Sequence, residues 1–371
     1  MRAALLEAGG TPLRVVDDVE VAAPAPGQVK VRVANCGLCH SDLTIIEDPG
    51  TGLAPAILGH EAAGVVEEVG TGVRSLAPGD KVLLAPLAPC GRCYWCARGE
   101  ATLCEEAMSA LGGAFADGTT PLTRGGEVVA RGLGVGGFGE VVVVGENGAV
   151  KIDPETPLDV AAVVGCAVQT GVGAVLNTAQ VEEGATVLVM GLGGIGISVL
   201  QGARVAGAAQ VIVSDPVAER RDAARGFGAT HVLDPNDADV VEAAHQLTGG
   251  IGVDYAFDAF GNAGLLEAGL RATRRGGTTV GVGAPKADEV MSFSAIGHVV
   301  QEKKLLGCLF GSSNPHREVP RMLSLWRSGD LDLEGMISFR RPLEEINEGF
   351  DDMRAGHGIR TVVDLRPAPA G

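Results

Sequence analysis

Apolar positions along this chain follow two rhythms. In the first 35 residues they come in short bursts: Ala3-Ala4-Leu5-Leu6, Leu13-Arg14-Val15-Val16 and the strict alternation Val29-Lys30-Val31-Arg32-Val33. Period-two alternation and runs of this length predict β-strands, and Pro24-Ala25-Pro26-Gly27 predicts a break between them. A turn at Cys39 and a loop rich in Gly and Pro lead to Gly59. From Ala63 to Leu83 short strands resume, among them Val65-Val66-Glu67-Glu68-Val69-Gly70 and Gly79-Asp80-Lys81-Val82. Residues 112–139 are glycine-rich with little periodicity, which predicts a long surface excursion, and Glu140 to Val144 returns to a strand. This part of the chain predicts a mainly-β domain.

The period then changes. Leu158 to Ala179 is rich in Ala, Val and Gly and predicts a helix with Cys166 in its midst. Ala185-Thr186-Val187-Leu188-Val189-Met190 is a continuous apolar run of strand length. Strands and helices alternate from there: a helix through Ala206, a strand Gln210–Ser214, a helix near 217–227, a strand Thr230–Leu233 and a helix near 238–248. A strand Val253–Asp258, a helix near 263–273, a strand Thr278–Gly283 and a last strand Leu305–Phe310 complete the series. Six strands joined by right-handed crossovers predict one doubly wound parallel sheet. The tail from Pro320 to Leu365 reads as helix, short strand, helix and final strand, too short for its own domain and expected to return to the first. The predicted class is α/β: a mainly-β domain over 1–167 together with 311–371, and a doubly wound six-stranded domain over 168–310. The chain shows no internal repeat, and its one low-complexity stretch is Pro367-Ala368-Pro369-Ala370-Gly371.

Composition supports this division. A chain of 371 residues exceeds one ordinary core. With 46% apolar residues, only 4% aromatic and 56 glycines, it suits an α/β protein built on Val, Ala and Leu with many tight turns. A net charge of −17 leaves no basic footprint, so neither nucleic acid nor an anionic membrane is an expected partner. No signal-peptide pattern opens the sequence, and no uninterrupted apolar run reaches bilayer length. The expected location is the cytoplasm, where eight cysteines stay reduced and serve metal binding or catalysis rather than disulfides.

The cysteine spacing gives that expectation its content. Cys90-Gly91-Arg92-Cys93-Tyr94-Trp95-Cys96, closed by Cys104, has the spacing C-x2-C-x2-C-x7-C. Four thiolates this close can wrap one tetrahedral zinc and pin a loop that has no core of its own. An iron–sulfur cluster is the rival; the seven-residue last gap and the lack of a proline after Cys104 speak against it. Cys39, His60 of Gly59-His60-Glu61 and the isolated Cys166 form a second candidate. Three protein ligands leave a fourth position open, as a catalytic zinc needs for water or substrate. Taken singly, Cys166 reads as a small buried hydrophobe and His60 as a hydrogen-bonded polar group.

A third motif is Gly191-Leu192-Gly193-Gly194-Ile195-Gly196, between a predicted strand and a predicted helix. Its glycines let the backbone approach a pyrophosphate, which the helix N-terminus then stabilises. Asp215 ends the next strand, 19 positions past Gly196. There it would accept hydrogen bonds from both hydroxyls of an adenosine ribose and repel a 2′-phosphate, favouring NAD over NADP.

With these motifs in one chain, the sequence resembles the zinc-dependent medium-chain alcohol dehydrogenase family from about residue 3 to 365. The resemblance rests on Gly59-His60-Glu61-x2-Gly64-x5-Gly70-x2-Val73, the four-cysteine loop, Gly165-Cys166, Thr170-Gly171 and the glycine turn. Glu345-Ile346-Asn347-Glu348-Gly349-Phe350 and Ile359-Arg360-Thr361 add to it. It implies a GroES-like catalytic domain, a Rossmann domain binding NAD, and two zinc ions per chain, one structural and one catalytic. Cys39, His60 and Cys166 would bind the catalytic zinc, with Glu61 behind it as a carboxylate or transient ligand. Asp42 would orient His60 through its other ring nitrogen. Ser41 would take the alcohol proton, His40 would contact the cofactor pyrophosphate, Arg360 would bind phosphate, and Thr170 would lie near the nicotinamide. Arg220 would neighbour the adenosine. The plainer readings are a turn or cap residue for Ser41 and Thr170, and a solvated helix charge for Arg220. Cys36 and Cys308 match no ligand position and read as packing residues.

The implied activity is reversible hydride transfer between a primary or secondary alcohol and NAD, with zinc as a Lewis acid. Many family members carry a histidine three residues after the hydroxyl residue, where this chain has Thr44, so the proton's exit route is not carried over. By alignment with the family, Pro86, Gly132, Leu133, Ala284 and Leu309 fall on the alcohol pocket. Gly132 and Ala284 are small there and suggest room for bulky or aromatic alcohols. Met108 stands where the glutathione-dependent formaldehyde branch usually has an arginine, which speaks against that branch and leaves a thiol-adduct formaldehyde dehydrogenase as an alternative. The stretch from Leu122-Thr123-Arg124 to Gly132-Leu133-Gly134 resembles members that hold their nicotinamide tightly, a second alternative. A non-catalytic zinc-stabilised NAD-binding protein and a zinc-free quinone reductase are further alternatives, against which the Cys39, His60 and Cys166 set argues. Relatives of this fold associate through their cofactor domains. A homodimer through the strand near 305–310 is therefore implied, with a tetramer as its rival.

Overall fold

A computed structural model describes residues 1–50 and 52–366, so the tail 367–371 lies outside the described residues. The chain forms two compact units. One comprises Met1–Cys166, Asn314–Leu323 and Ile337–Gly371; the other comprises Ala167–Ser313 and Ser324–Met336. The sequence reading returned all of 311–371 to the first unit, but Ser324–Met336 belongs to the second. Leu331, Leu333 and Met336 are buried there, and the backbone N–H of Asp332 donates to Gln201 at 2.7 Å, within the second unit.

The first unit is built on β-sheets. A seven-stranded sheet runs in the order Ala149–Lys151, Lys81–Leu84, Glu61–Val69, Gln28–Gly37, Arg360–Asp364, Ile337–Pro342, with Val141–Gly145 also pairing to Gln28–Gly37. Val29, Val31 and Val33 point into the core while Arg32 stays exposed, which is the period-two alternation of the sequence made physical. A six-stranded sheet runs Arg14–Val16, Ala3–Leu6, Ala56–Ile57, Glu127–Arg131, Leu122–Arg124, Val19–Val21. Leu5, Leu6, Ile57, Leu58 and Phe138 pack between these layers, and the Phe138 ring meets Phe350 edge-on at 6.0 Å.

Two local expectations need correction. The supposed excursion 112–139 contains a hairpin, Leu122–Arg124 against Glu127–Arg131, turning at Gly125-Gly126, whose φ angles are 57° and 82°. Strands this short hide their alternation, and the Gly-Gly pair was the available signal. The turn at Cys39 opens a helix, His40–Glu47. Leu43 and Ile46, three apart, are both buried by it, and the Thr44 hydroxyl donates back to the His40 carbonyl.

The second unit carries the parallel sheet, in the spatial order His231–Leu233, Gln210–Ser214, Thr186–Met190, Val253–Asp258, Thr273–Gly281, Lys304–Gly307. Its topology is that of a doubly wound dinucleotide fold. Val187 to Met190 are buried, as a central parallel strand covered on both faces requires. The last strand stops at Gly307, earlier than expected, because Phe310, Gly311 and Ser312 turn with positive φ. A helix that the pattern did not predict, Ala295–Gln301, precedes it.

The helical run Leu158–Ala179 spans 22 residues and holds an 18-residue window of mean hydropathy 1.7, long and apolar enough to cross a bilayer, contrary to the expectation that no run reaches that length. Its apolar window is 89% buried inside the fold, which makes it a core helix. π-turns at Val164–Val168 and Ala174–Ala179 interrupt it, and the first carries Cys166.

The glycine turn of the second unit is sterically closed. A Cβ at Gly196 would run into the carbonyl oxygen of Gly191. Gly196→Ala is therefore expected to cost about 1–3 kcal/mol of stability through overpacking. A lowered thermal midpoint and weakened NAD binding by fluorescence titration would register it; an unchanged melt and unchanged titration would mean that the turn relaxes freely.

Candidate functional site

Strand register brings the first cluster together. Gly37 pairs with Glu61 on one side and with Val362 on the other. The chain then runs on from Gly37 to Cys39, so Cys39 emerges beside His60-Glu61 and level with Arg360, the first residue of its strand. Gly165 lies against the backbone of Glu61, so the helical run delivers Cys166 to the same place. The ligand atoms of Cys39, His60, Glu61 and Cys166 all lie within 4.8 Å of one another, and all four residues are buried.

Orientation comes from Asp42, which is fully buried. Its Oδ1 accepts the Gly59 N–H at 2.9 Å, while Oδ2 stands 3.1 Å from His60 Nδ1. Gly59 has φ +88°, the left-handed region where glycine alone is unstrained, and so turns the chain to present His60. Nδ1 faces Asp42 at that ion-pair distance, and neither ring nitrogen has a hydrogen-bond partner among the described residues, which leaves Nε2 free for the cluster. Arg360 closes the far side: Nη2 lies 3.3 Å from Glu61 Oε1 and Nη1 donates to the Leu38 carbonyl at 3.2 Å. Ser41 Oγ is 3.7 Å from Cys39 Sγ and its residue is exposed.

The electrostatics follow from crowding. The hydrogen bond from Cys166 and the charge of His60 hold Cys39 well below the usual thiol range, against the cost of burial. Cys166 moves up, because Cys39 takes the charge. Burial works against a charged His60, but Asp42 and Cys39 outweigh it and raise its pKa well above the ordinary value. Burial pushes Glu61 up to about 8 while Arg360 pulls the other way. A buried imidazole nitrogen without a partner, converging with two thiols, is the donor set that zinc takes, and the residues fit that ion.

The second cluster is Cys90, Cys93, Cys96 and Cys104, again with all sulfurs within 4.8 Å. Backbone N–H groups of Cys90 and Cys93 donate to the sulfurs of Cys104 and Cys90 at 3.3 and 3.4 Å. Such bonds favour thiolates. The N–H of Cys96 is the largest cause holding Cys93 down to about 6. None of the eight cysteines is in a disulfide.

In the second unit, Gly191 and Gly193 form the turn ahead of the helix Gly194–Val205, which takes in Ile195 and Gly196. Asp215 lies at the tip of the next strand, almost fully buried, its two oxygens accepting the N–H groups of Leu192 and Val217 at 2.7 and 2.8 Å. The guanidinium of Arg221 donates to the Asp215 carbonyl at 2.8 Å. Sequence reasoning also passed over Asp258, at the carboxyl end of the neighbouring strand. Its carboxylate accepts N–H groups of Phe260, Gly261 and Asn262. An acidic residue ending a parallel strand just before Gly261-Asn262 was the signal for it.

The remaining expected residues fall as follows. His40 opens its helix on an exposed position, Thr170 is buried in the helix Gln169–Gly173, and Met108 is exposed. Pro86 and Gly132 are buried, Leu133 is half-buried, and Ala284 and Leu309 are exposed. A Cβ at Gly132 would run into Leu58, so the glycine is small because Leu58 packs on it. Its size leaves no extra room for a bulky alcohol.

Removing the orienting carboxylate in Asp42→Asn is expected to weaken zinc at the first cluster about 10–100-fold while sparing the second. Competition with a chromogenic chelator measures it; equal affinity in the variant would show that Asp42 does not support His60. Cys93→Ser should lose the other ion and lower the thermal midpoint of the first unit; retention of two zinc ions per chain would contradict the four-sulfur site.

Residues 25–154 match the family of alcohol dehydrogenase GroES-like domains, and residues 194–328 match the zinc-binding dehydrogenase family. The S-(hydroxymethyl)glutathione dehydrogenase of Escherichia coli O139:H28 is 38% identical over 366 residues, covering 98% of this chain and 99% of that protein. Among solved structures, an alcohol dehydrogenase zinc-binding domain protein from Burkholderia ambifaria has a TM-score of 0.94 at 35% identity over 99% of both chains. Benzyl alcohol dehydrogenase from Acinetobacter calcoaceticus has a TM-score of 0.93 at 29% identity, over 98% of this chain and 99% of that one. The chain belongs to the zinc-dependent medium-chain alcohol dehydrogenase family, oxidoreductases whose cofactors are zinc and NAD.

Proposed function

We propose that this protein oxidises a primary or secondary alcohol with NAD, and reduces the matching aldehyde or ketone in reverse. The observation that carries the reading is the buried convergence of Cys39, His60 and Cys166 with Asp42 on the far nitrogen of the imidazole. Two cysteines and a histidine are the donor set known for alcohol dehydrogenases. When bound, zinc supplies a Lewis acid that lowers the pKa of the alcohol, and NAD supplies the hydride acceptor.

The chain's own residues do the rest. Asp42 fixes the ring of His60. Arg360 holds Glu61 as its ion-pair partner, which keeps that carboxylate behind the ligand set. Ser41 takes the alcohol proton. Because Ser41 is itself exposed and the Thr44 hydroxyl is spent on the His40 carbonyl, the proton passes from Ser41 to water without a histidine relay. Gly191, Gly193, Gly194, Ile195 and Gly196 receive the pyrophosphate with His40, Asp215 selects the ribose, Thr170 stands near the nicotinamide, and Arg220 neighbours the adenosine.

A second reading, oxidation of a thiol adduct of formaldehyde, is supported by the name of the 38% identical relatives. The absence of an arginine at Met108 speaks against it. We also infer a homodimer. Support comes from the terminal strand Lys304–Gly307 and from Ile296, Val299 and Val300 on the adjacent helix, each about two-thirds exposed or more. Light scattering of Val299→Lys against the parent chain checks it, with a dimer expected for the parent and a monomer for the variant.

NADH formation with a panel of primary, benzylic and terpenoid alcohols, alongside S-(hydroxymethyl)glutathione, tests the function. Turnover of the plain alcohols is expected. Turnover of the glutathione adduct alone would replace the first reading with the second. Cys39→Ala or His60→Ala should abolish turnover and lose about one zinc per chain; full activity with one zinc missing would sink the assignment. Asp215→Ser should narrow the preference for NAD over NADP by roughly tenfold, about 1.4 kcal/mol, measured as the ratio of kcat/KM for the two cofactors.

A further inference from the structure

Arg131 is a charged side chain whose surroundings do not account for it. It ends the strand Glu127–Arg131, is only 2% exposed, and is among the largest fully buried side chains of the chain. Nη1 donates to the Gly134 carbonyl at 2.6 Å. The Phe115 ring covers one face of the guanidinium, with Cζ 3.7 Å from its centroid. Nε and Nη2 have no hydrogen-bond partner among the described residues. Burial alone moves its pKa, down to about 10, with no carboxylate contributing, so the group remains a cation at neutral pH.

An uncompensated buried cation is costly, and removing its hydrogen-bond partners makes it more so. The stacking ring satisfies the face of the guanidinium and leaves its edge. The two unused donors, Nε and Nη2, are the pair that engages both oxygens of a carboxylate or phosphate side-on. Arg131 and the Phe115 ring that covers it both line a cavity of about 370 Å³ in the first unit, walled also by Pro86, Ala107 and Ala110, while Nε and Nη2 themselves lie buried beneath that cover. Two carboxylates also border it, and both are otherwise engaged. Glu106 pairs with Arg92 at 2.6 Å, and Glu146 accepts the N–H groups of Arg74 and Ser75 and the Ser75 hydroxyl. Neither reaches Arg131.

We propose that Arg131 and this cavity form an oxyanion-binding site that takes a carboxylate or phosphate group on Nε and Nη2, with Phe115 as its cover. The cavity shares Cys90 of the four-cysteine cluster in its wall and includes none of the residues of the first cluster. Arg131 pairs with Ile57, three residues before His60 in the chain. The inference does not rest on the alcohol dehydrogenase reading: any small oxyanion meets the chemistry, whether free or carried on a larger molecule.

Calorimetric titration of the zinc-loaded full chain tests it, at fixed ionic strength and with NAD saturating so that the pyrophosphate site is filled. Three probes are used: inorganic phosphate, acetate, and S-methylglutathione, whose sulfur is blocked from metal. Saturable binding of at least one is expected, weakened tenfold or more in Arg131→Met. Ala110→Leu, which narrows the cavity and keeps the guanidinium, should weaken the same probe and carries the test if Arg131→Met does not fold. Binding of phosphate or acetate alone identifies a free anion; preference for S-methylglutathione identifies a carboxylate on a larger ligand. No binding by any of the three overturns the proposal, as does undiminished binding in Arg131→Met or Ala110→Leu.

Discussion

Everything at the first cluster depends on one strand being paired on both sides at the same point. Gly37 faces Glu61 across one ladder and Val362 across the other. Hydrogen-bond register is a discrete variable, and a one-residue slip would turn the side chains of a whole strand to the other face. The pairing therefore fixes Cys39, His60, Glu61 and Arg360 to within the tolerance of a β-sheet, before any of their side chains interact. That matters because these side chains would not choose one another. A thiolate and a carboxylate a few ångströms apart and out of water repel, and the opposed shifts of Cys39 and Cys166 show the two thiols sharing one charge through their hydrogen bond. A stiff frame of ladder bonds supplies what the electrostatics oppose, and the same crowding gives the site its appetite for a cation.

The second unit solves a different problem with backbone rather than side chains. The groups proposed to meet its cofactor are N–H donors at a helix start and a carboxylate at a strand end. Asp215 and Asp258 end two strands that flank Thr186–Met190, and each binds backbone N–H groups of the loops that follow the sheet. Asp215 is thereby pinned beside the glycine turn through Leu192, which places it where the proposed ribose contact would adjoin the proposed pyrophosphate contact. Placing an acid there costs desolvation, and the N–H bonds return part of it.

Much of this was legible in the sequence where a spacing encodes a geometry. The four cysteines within 15 residues and the glycine turn between strand and helix are local, so chain connectivity forces them together. Cys39, His60 and Cys166 are far apart in sequence, and spacing alone proposed them only as a candidate set. The alternating strands near residues 29–33 and the six parallel strands read directly, because burial on one face or two leaves different periods. The hairpin at 122–131 did not, since strands of three and five residues carry too little pattern. The segment 324–336 also escaped, because membership in a unit is decided by contacts with Gln201 and its neighbours and not by chain order.

What stayed illegible is the alcohol, and the reason is physical. Ligand geometry is set by backbone register, whereas pocket shape is set by which side chain happens to lie against which. Gly132 illustrates the difference: a small residue at a pocket position looks like open space, yet Leu58 occupies what its side chain would have filled. Arg131, the very next residue toward the N-terminus, errs in the opposite direction. In the sequence it is one basic residue in a loop-rich stretch, with a solvated surface as the default expectation. Buried under Phe115, it keeps two donors unused. A residue type predicts chemistry only after its neighbours are known, and for these two adjacent positions the neighbours reverse the reading in both directions.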